Sequence, residues 1–344
     1  MDYVPATAPA ATAQTPQWWR LLTDSLLAPS ATALRRWALA GLVTSTLIVL
    51  TGAGVRLSQS GLGCTNWPNC TATSLVASGA TGDSLVHRWV EFSNRLVTVA
   101  IFVVAVGIFI AAWRYRDNLG RRRDLLWLAA AQPGAIVVQA VLGGFVVLTK
   151  LNPALVSLHF LASVALLAAA VAFYVRCQES REPPRPLVAR PVQLIALGVV
   201  GAVALMMTVG TVVTGTGPLA GAPDVARYPL PLEGITQFHA DIGWLLAGLG
   251  VALLLCLHLG NAPRRAVRIA WLGAGLVALQ GAVGYAQYFS GLPAGLVWVH
   301  VAGSTAIWIV ALFLPYSLRD RSALPPVRPA EPVAEHDPGA SLPL

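Results

Sequence analysis

Thr51-Gly52-Ala53-Gly54-Val55-Arg56 closes one apolar run, Cys64-Thr65-Asn66-Trp67-Pro68-Asn69-Cys70 follows in a polar loop, and His87-Arg88-Trp89-Val90-Glu91 opens the next apolar run. Glycines, paired cysteines, a histidine and a carboxylate therefore meet at the edge of an apolar layer. Ionisable groups are expensive there and need partners, so this junction organises both the fold and the search for chemistry.

Outward from it, apolar runs recur at about 34–54, 88–113, 124–148, 154–175, 191–215, 235–259, 268–288 and 296–316. Each is long enough for a bilayer core of about 30 Å, which takes about 20 helical residues. Of the 344 residues, 56% are hydrophobic and 11% charged, against about 25% charged in an ordinary soluble domain. That balance excludes a soluble globular chain. It predicts an all-α polytopic membrane protein with eight transmembrane helices, integral in the lipid bilayer.

Arginine supplies 22 of the 23 basic residues, and Lys150 is the only lysine. The formal charge of +8 does not point to nucleic acid, because the charges lie between apolar runs and not along one polar face. They report topology instead. Arg114, Arg116, Arg121, Arg122 and Arg123 fill one loop, Arg176, Arg181, Arg185 and Arg190 the next alternate one, and Arg264, Arg265 and Arg268 the third. The positive-inside rule makes these loops cytoplasmic. An even number of spans, with Arg20, Arg35, Arg36, Arg319 and Arg321 near the ends, puts both termini on that side and the Cys64/Cys70 loop outside.

Cys177 and Cys256 lie at or inside apolar runs, where free thiols are ordinary. Cys64 and Cys70 share one polar loop on the oxidising side and invite a disulfide. Two free thiols beside Trp67 and Pro68, or a pair exchanging electrons with a thiol partner, are the alternatives. The first 32 residues lack the order of a signal peptide. The tail from Arg319, rich in Pro, Ala and charge, reads as disordered. The expected organisation is a cytoplasmic tail over 1–32, a first half over 33–176, a linker over 177–190, a second half over 191–316 and a tail over 317–344.

The two halves echo one another. Thr51-Gly52-Ala53-Gly54 recurs as Thr214-Gly215-Thr216-Gly217, and Gln139, Gly143 and His159 recur at the same spacing as Gln280, Gly284 and His300. A duplicated four-helix unit is the economical reading. Units with an even number of spans point the same way, which predicts two parallel-repeat four-helix bundles and two related sites.

Four of the six histidines, His87, His159, His239 and His300, fall early in spans on the outer side, whereas His258 lies near the inner end of a span and His336 in the tail. Any one of the four could merely hydrogen-bond across helices. Two at matching depth on facing helices, His239 and His300, can ligate one metal, and a haem iron accepts one imidazole on each face. The second half is therefore expected to hold a bis-histidine b-type haem.

In the first half His87, Glu91 and Asn94 share a helix face through spacings of four and three. Glu91 is then either a structural carboxylate paired with Arg88 or Arg95, or a proton-transfer group. Arg56, Arg88, Arg95 and Arg227 suit haem propionates, though they could equally meet phospholipid headgroups or cap the outer ends. The glycines make no dinucleotide or phosphate-loop signature; small residues in apolar helices permit close contact or leave width for a flat ring.

Thr51 through Leu57, Ser60-Gly61-Leu62-Gly63-Cys64 through Cys70, Glu91 to Arg95, Gly143-Gly144 through His159, Thr214 through Pro218, His239-Ala240-Asp241 and His300 together resemble the haem A synthase family, over about residues 34 to 316. The resemblance implies eight spans in two four-helix halves in a bacterial-type cell membrane. It also implies b-type haem between His239 and His300, haem O as substrate near His159, and a redox-active or disulfide-linked Cys64/Cys70. An essential Glu91 completes the set. The implied reaction oxidises the ring methyl of haem O to a formyl group through hydroxylated states. Implied partners are a haem O synthase, terminal oxidase assembly factors and a quinol donor.

Two departures stand out. The family has a histidine three residues after its glutamate where this chain has Asn94, a poor ligand for iron; His87 is the candidate replacement. The loop from Pro218 to Gly234 has no cysteine pair. The rival readings are a diheme quinol-linked cytochrome that does not modify haem, and a transporter or haem-binding assembly factor.

Overall fold

The structure, a computed structural model, describes residues 16–78 and 82–322. A short helix α1 (Gln17–Leu27) comes first. Eight helices long and apolar enough to cross a membrane follow: α2 (Ala31–Leu57), α3 (Asp83–Arg114), α4 (Arg123–Leu148), α5 (Pro153–Arg176), α6 (Arg190–Thr216), α7 (Leu232–Leu259), α8 (Arg264–Phe289) and α9 (Ala294–Ser317). The shortest has 24 residues, about 36 Å at about 1.5 Å per residue, so each exceeds the apolar thickness it must cross. Leu39, Val43 and Leu47 on α2, and Leu245, Val251 and Leu255 on α7, stay exposed, as lipid-facing side chains do.

The helices begin earlier than the apolar runs because caps, not hydropathy, decide where a helix starts. Ser30 accepts a hydrogen bond from the Ala33 amide, and the Asn152 side chain accepts from Ala154 and Leu155 ahead of Pro153. Pro231, Pro263 and Pro293 occupy the N-cap positions of α7, α8 and α9, where a fixed φ and a missing N–H cost nothing. His239 and His300 consequently lie seven and six residues beyond the first residue of their helices, about two turns deep.

In chain order α2 packs on α3 and α5, α3 on α4, and α4 on α5; α6 packs on α7 and α9, α7 on α8, and α8 on α9. Contacts of α2 with α9, and of α5 with α6 and α9, join the two sets. The largest buried apolar cluster lies along this seam, with Leu42, Val164, Leu167 and Val171 meeting Val203, Leu253, Trp308 and Leu314. Trp308 donates its indole N–H to the Val164 carbonyl at 3.0 Å, and Trp298 donates to the Leu50 carbonyl at 3.0 Å. Both tryptophans thus bury area and satisfy their one polar atom.

Two tail expectations change. The segment read as an N-terminal tail carries α1, whose Ser25 hydroxyl accepts from the Trp37 indole. The C-terminal tail read as disordered from Arg319 starts in order: β3 (Arg185–Pro186) pairs antiparallel with β4 (Arg319–Asp320), and Arg319 bridges to Glu179 at 2.9 Å. A carboxylate shared with Arg176 holds it there. The remaining tail, with His336, lies outside the described residues, as do residues 1–15.

At this arginine-rich end a hairpin of β1 (Arg116–Asp117) and β2 (Gly120–Arg121) joins α3 to α4. Gly120 takes φ +93° at its turn, where a side chain would be strained. Arg122 and Arg176, both buried, converge on Asp124 at 2.7 and 2.6 Å, and Arg181 pairs with Asp117 at 2.7 Å. Arg122 also donates to the Glu179 and Arg176 carbonyls, so this lattice ties the loops together.

Cys177 caps α5 here, and burial pushes its thiol up to about 12. At pH 8 it holds about three orders of magnitude less thiolate than a thiol at the ordinary 8.5, and thiolate is the reacting form. Maleimide labelling at pH 8, mapped by mass spectrometry, should leave Cys177 essentially unmodified while the protein is folded. Labelling at the rate of an unfolded peptide thiol would contradict this.

Candidate functional site

Three of the four histidines His87, His159, His239 and His300 share one local arrangement that sequence spacing only half reveals. His159 of α5 faces Gly143 of α4, His239 of α7 faces Gly210 of α6, and His300 of α9 faces Gly284 of α8. A methyl group added at these glycines would lie 3.3, 3.2 and 3.3 Å from the respective imidazole Cε1 atoms. Each ring therefore lies where a side chain would otherwise be. By contrast Gly52, Gly54 and Gly281 have open space around them, so helix propensity does not explain the first three and does not protect the others.

His239 and His300 come together across α7 and α9, with ring centroids 6.3 Å apart and planes inclined at 59°. Two metal–nitrogen bonds in line, each about 2 Å, use about 4 Å of that separation and leave two ring radii. The Nδ1 atoms of His159, His239 and His300 are all buried without a hydrogen-bond partner. The residues thus fit a planar metal group held between two imidazoles. Among the described residues no three His, Cys, Asp or Glu side chains gather into a closed metal cage.

The backbone behind each histidine is also braced, in different ways. Gln280 donates its amide to the His300 carbonyl at 2.5 Å. The repeat-related Gln139 instead donates to Ser163, whose hydroxyl donates to the His159 carbonyl at 3.2 Å. Gln280 lies directly over Gly303, which has no room for a methyl group. The matching residue in the first half is Ala162; its Cβ blocks the direct path and diverts Gln139 to the serine.

In the first half, no second imidazole among the described residues lies against the His159 ring. On α3, Asn94 buries an Oδ1 that accepts no hydrogen bond. His87 lies two turns closer to the loop, its Nδ1 hydrogen-bonded to the Ser60 hydroxyl at 2.8 Å. Between them Glu91 is buried, and both its oxygens are engaged. Oε1 accepts from Arg95 at 2.6 Å, and Oε2 accepts from the Cys64 amide at 2.8 Å.

That second contact brings in the cysteine loop. Cys64 and Cys70 are fully buried and joined by a disulfide, with Cα atoms 4.4 Å apart. Arg95 also donates to the carbonyls of Asn66, Pro68 and Asn69, so one guanidinium ties the loop to α3 while holding Glu91. Trp67 from the same loop lies over Gly144 of α4, beside Gly143, and a methyl group at Gly144 would strike its ring.

The four arginines considered for an acidic ligand are not equivalent. Arg88 donates to the carbonyls of Gly63 and Ser78, and Arg227 to those of Gly217 and Pro223. With Arg95 committed as well, Arg56 differs: its buried Nε has no hydrogen-bond partner. It lies near Gly221, whose carbonyl accepts from the Gly61 amide at 2.9 Å where the outer loops of the two halves meet.

Sequence reasoning missed Gly210, because the Thr-Gly repeat nearby drew attention to Gly215 and Gly217 instead. Gly215 in fact faces Tyr228, and Gly217 its own helix backbone. A glycine five or six residues before the end of the helix that precedes each histidine-bearing helix was the available signal. The place of Trp67 over Gly144, and the hold of Arg95 on the cysteine loop, could be seen only once the loop's path was known.

Residues 35–312 match the family model described as cytochrome oxidase assembly protein, COX15-CtaA. A Heme A synthase of Listeria monocytogenes is 30% identical over 139 residues, covering 40% of this chain and 43% of that protein. The aligned stretch is thus under half the length of the Listeria relative. A Heme A synthase of Shewanella oneidensis is 23% identical over 328 residues, 82% of this chain and 96% of that protein. One from Lysinibacillus sphaericus is 31% identical over 129 residues, 37% and 39% of the two chains.

Proposed function

The chain belongs to the COX15-CtaA family, and from that premise we propose that it is a haem A synthase, oxidising the ring methyl of haem O to a formyl group through hydroxylated intermediates. The observation that carries the reading is the His239–His300 pair, 6.3 Å apart and backed by Gly210 and Gly284. These two residues would hold a resident b-type haem, which when bound supplies one-electron transfer.

Helices α2–α5 and α6–α9 are read as two parallel copies of one four-helix unit, matching residues 33–176 and 191–316. The second copy retains haem and the first handles the substrate. His159 supplies a ligand to the haem O iron. His87 is the second ligand or a close substrate contact, with Asn94 beside it. Glu91 handles protons at the mouth, Arg56 meets a propionate, and the Cys64–Cys70 loop with Trp67 covers the opening. Both termini are cytoplasmic and the sites lie toward the outer side of a bacterial-type cell membrane. A haem O synthase would deliver substrate, terminal oxidase assembly factors would receive product, and a quinol would supply electrons.

An electron-transfer cytochrome shares the His239–His300 pair but needs no carboxylate beside His87. Membranes containing this protein and supplied with haem O should accumulate hydroxylated and formylated haem by mass spectrometry. Full occupancy by haem O with no modified product would favour the cytochrome.

His87 is tested against His159 by alanine substitution. His159→Ala should abolish substrate-haem binding, and His87→Ala should weaken it and change its spectrum, with Asn94→Ala as the comparison on the same face. An unchanged spectrum and turnover in His87→Ala would remove it from the site and leave it as the Ser60 partner.

A further inference from the structure

We propose that the arginine-lined cavity at the opposite end of the helices binds a phosphate-bearing anion, presented by an anionic lipid headgroup or free in solution. An open cavity of about 400 Å³ is lined by Arg121, Arg123, Arg176, Arg181 and Arg321, with Asp124 the one acidic residue in its wall. That carboxylate is already shared by Arg122 and Arg176, and Arg181 is paired with Asp117. Arg121, Arg123 and Arg321 form no salt bridge among the described residues, and the buried Nε of Arg121 has no hydrogen-bond partner.

The positive-inside rule accounts for arginines at this end, but not for five of them lining one concave site. Arginines that only mark topology spread outward into water. Here ion pairs to Asp117, Asp124 and Glu179 fix the walls, and a cation–π contact of Arg121 with Trp113 holds a third side. An uncompensated positive field remains in a preorganised frame. Guanidinium forks match phosphate oxygens in pairs. The cavity lies where β2 and the ends of α4 and α5 meet the segment after α9, at the level where apolar faces give way to charge. Basic pockets at that depth suit phosphate headgroups.

The test uses the full chain, wild type and Arg121→Gln/Arg123→Gln. Neither residue pairs with a carboxylate among the described residues, so the ion pairs to Asp117, Asp124 and Glu179 stay in place and only the Arg121–Trp113 contact is lost. Protein is equilibrated in vesicles of phosphatidylcholine with phosphatidylglycerol, extracted, and its retained lipid weighed by native mass spectrometry. In parallel, inorganic pyrophosphate is titrated into detergent-solubilised protein while thermal unfolding is followed. Wild type should retain phosphatidylglycerol over phosphatidylcholine, with at least a tenfold loss of that preference in the double variant; this identifies a lipid source. Stabilisation by pyrophosphate that the variant lacks, without lipid preference, identifies a soluble one. If the double variant unfolds at lower temperature without ligand, Arg123→Gln alone, at an exposed position, replaces it. Binding of both probes that is absent, or equal in wild type and variant, overturns the proposal.

Discussion

His239→Ala or His300→Ala should release the proposed b-type haem, weakening its affinity by at least the roughly 10–100-fold that loss of a mere supporting contact costs a metal site. The readout is haem per protein by the pyridine haemochrome, with the visible spectrum of what remains. Each substitution removes one of two imidazoles 6.3 Å apart, and no third histidine lies beside them. The glycines supply a finer version. Gly284→Val should also lower occupancy, because even a single methyl group there lies 3.3 Å from the His300 ring. Gly281→Ala, one turn away in open space, should leave haem unchanged and favour the helix by up to about 1 kcal/mol. Full haem with an unaltered spectrum in both histidine variants would end the bis-histidine reading.

Glu91→Gln should cut haem O conversion by about 10²–10⁴-fold, the usual range for a proton-transfer group, while b-type haem stays bound. The geometry supplies a second, separable effect. Both carboxylate oxygens accept hydrogen bonds, one from Arg95 and one from the Cys64 amide. A glutamine must turn an N–H toward one of those donors, so the loop loses an anchor and the Cys64–Cys70 disulfide should be reduced faster by a small thiol. A proton on Oε2 would weaken that oxygen as an acceptor for the Cys64 N–H, so proton uptake at that atom loosens the loop's hold. Arg95→Leu should accelerate disulfide reduction as well, because it removes the donations to Asn66, Pro68 and Asn69. Conversion at the wild-type rate in Glu91→Gln rejects proton handling. Faster disulfide reduction with normal conversion leaves Glu91 as the loop's anchor.

The eight membrane helices were legible because a span must satisfy every backbone group internally over a fixed apolar thickness, and that constraint acts on each run of sequence separately. The depth of the histidines was less legible. Pro231 and Pro293 start α7 and α9 before their apolar runs begin, so His239 and His300 sit deeper than hydropathy placed them. The Gln139 and Gln280 repeat was visible as spacing, yet the two side chains bond differently. One substitution between copies, Ala162 for Gly303, closes the path that Gln280 takes.

Sequence alone determined that this chain is a polytopic helical membrane protein with paired histidine positions in a repeated frame, because hydropathy, charge and spacing are properties of each segment. Only the tertiary structure decided that Gly210 backs His239, that Arg95 binds Glu91 and the disulfide loop at once, and that five arginines from three stretches of chain line one cavity. Those arrangements depend on close contacts between residues far apart in the chain, where a single Cβ or one shared guanidinium determines what fits.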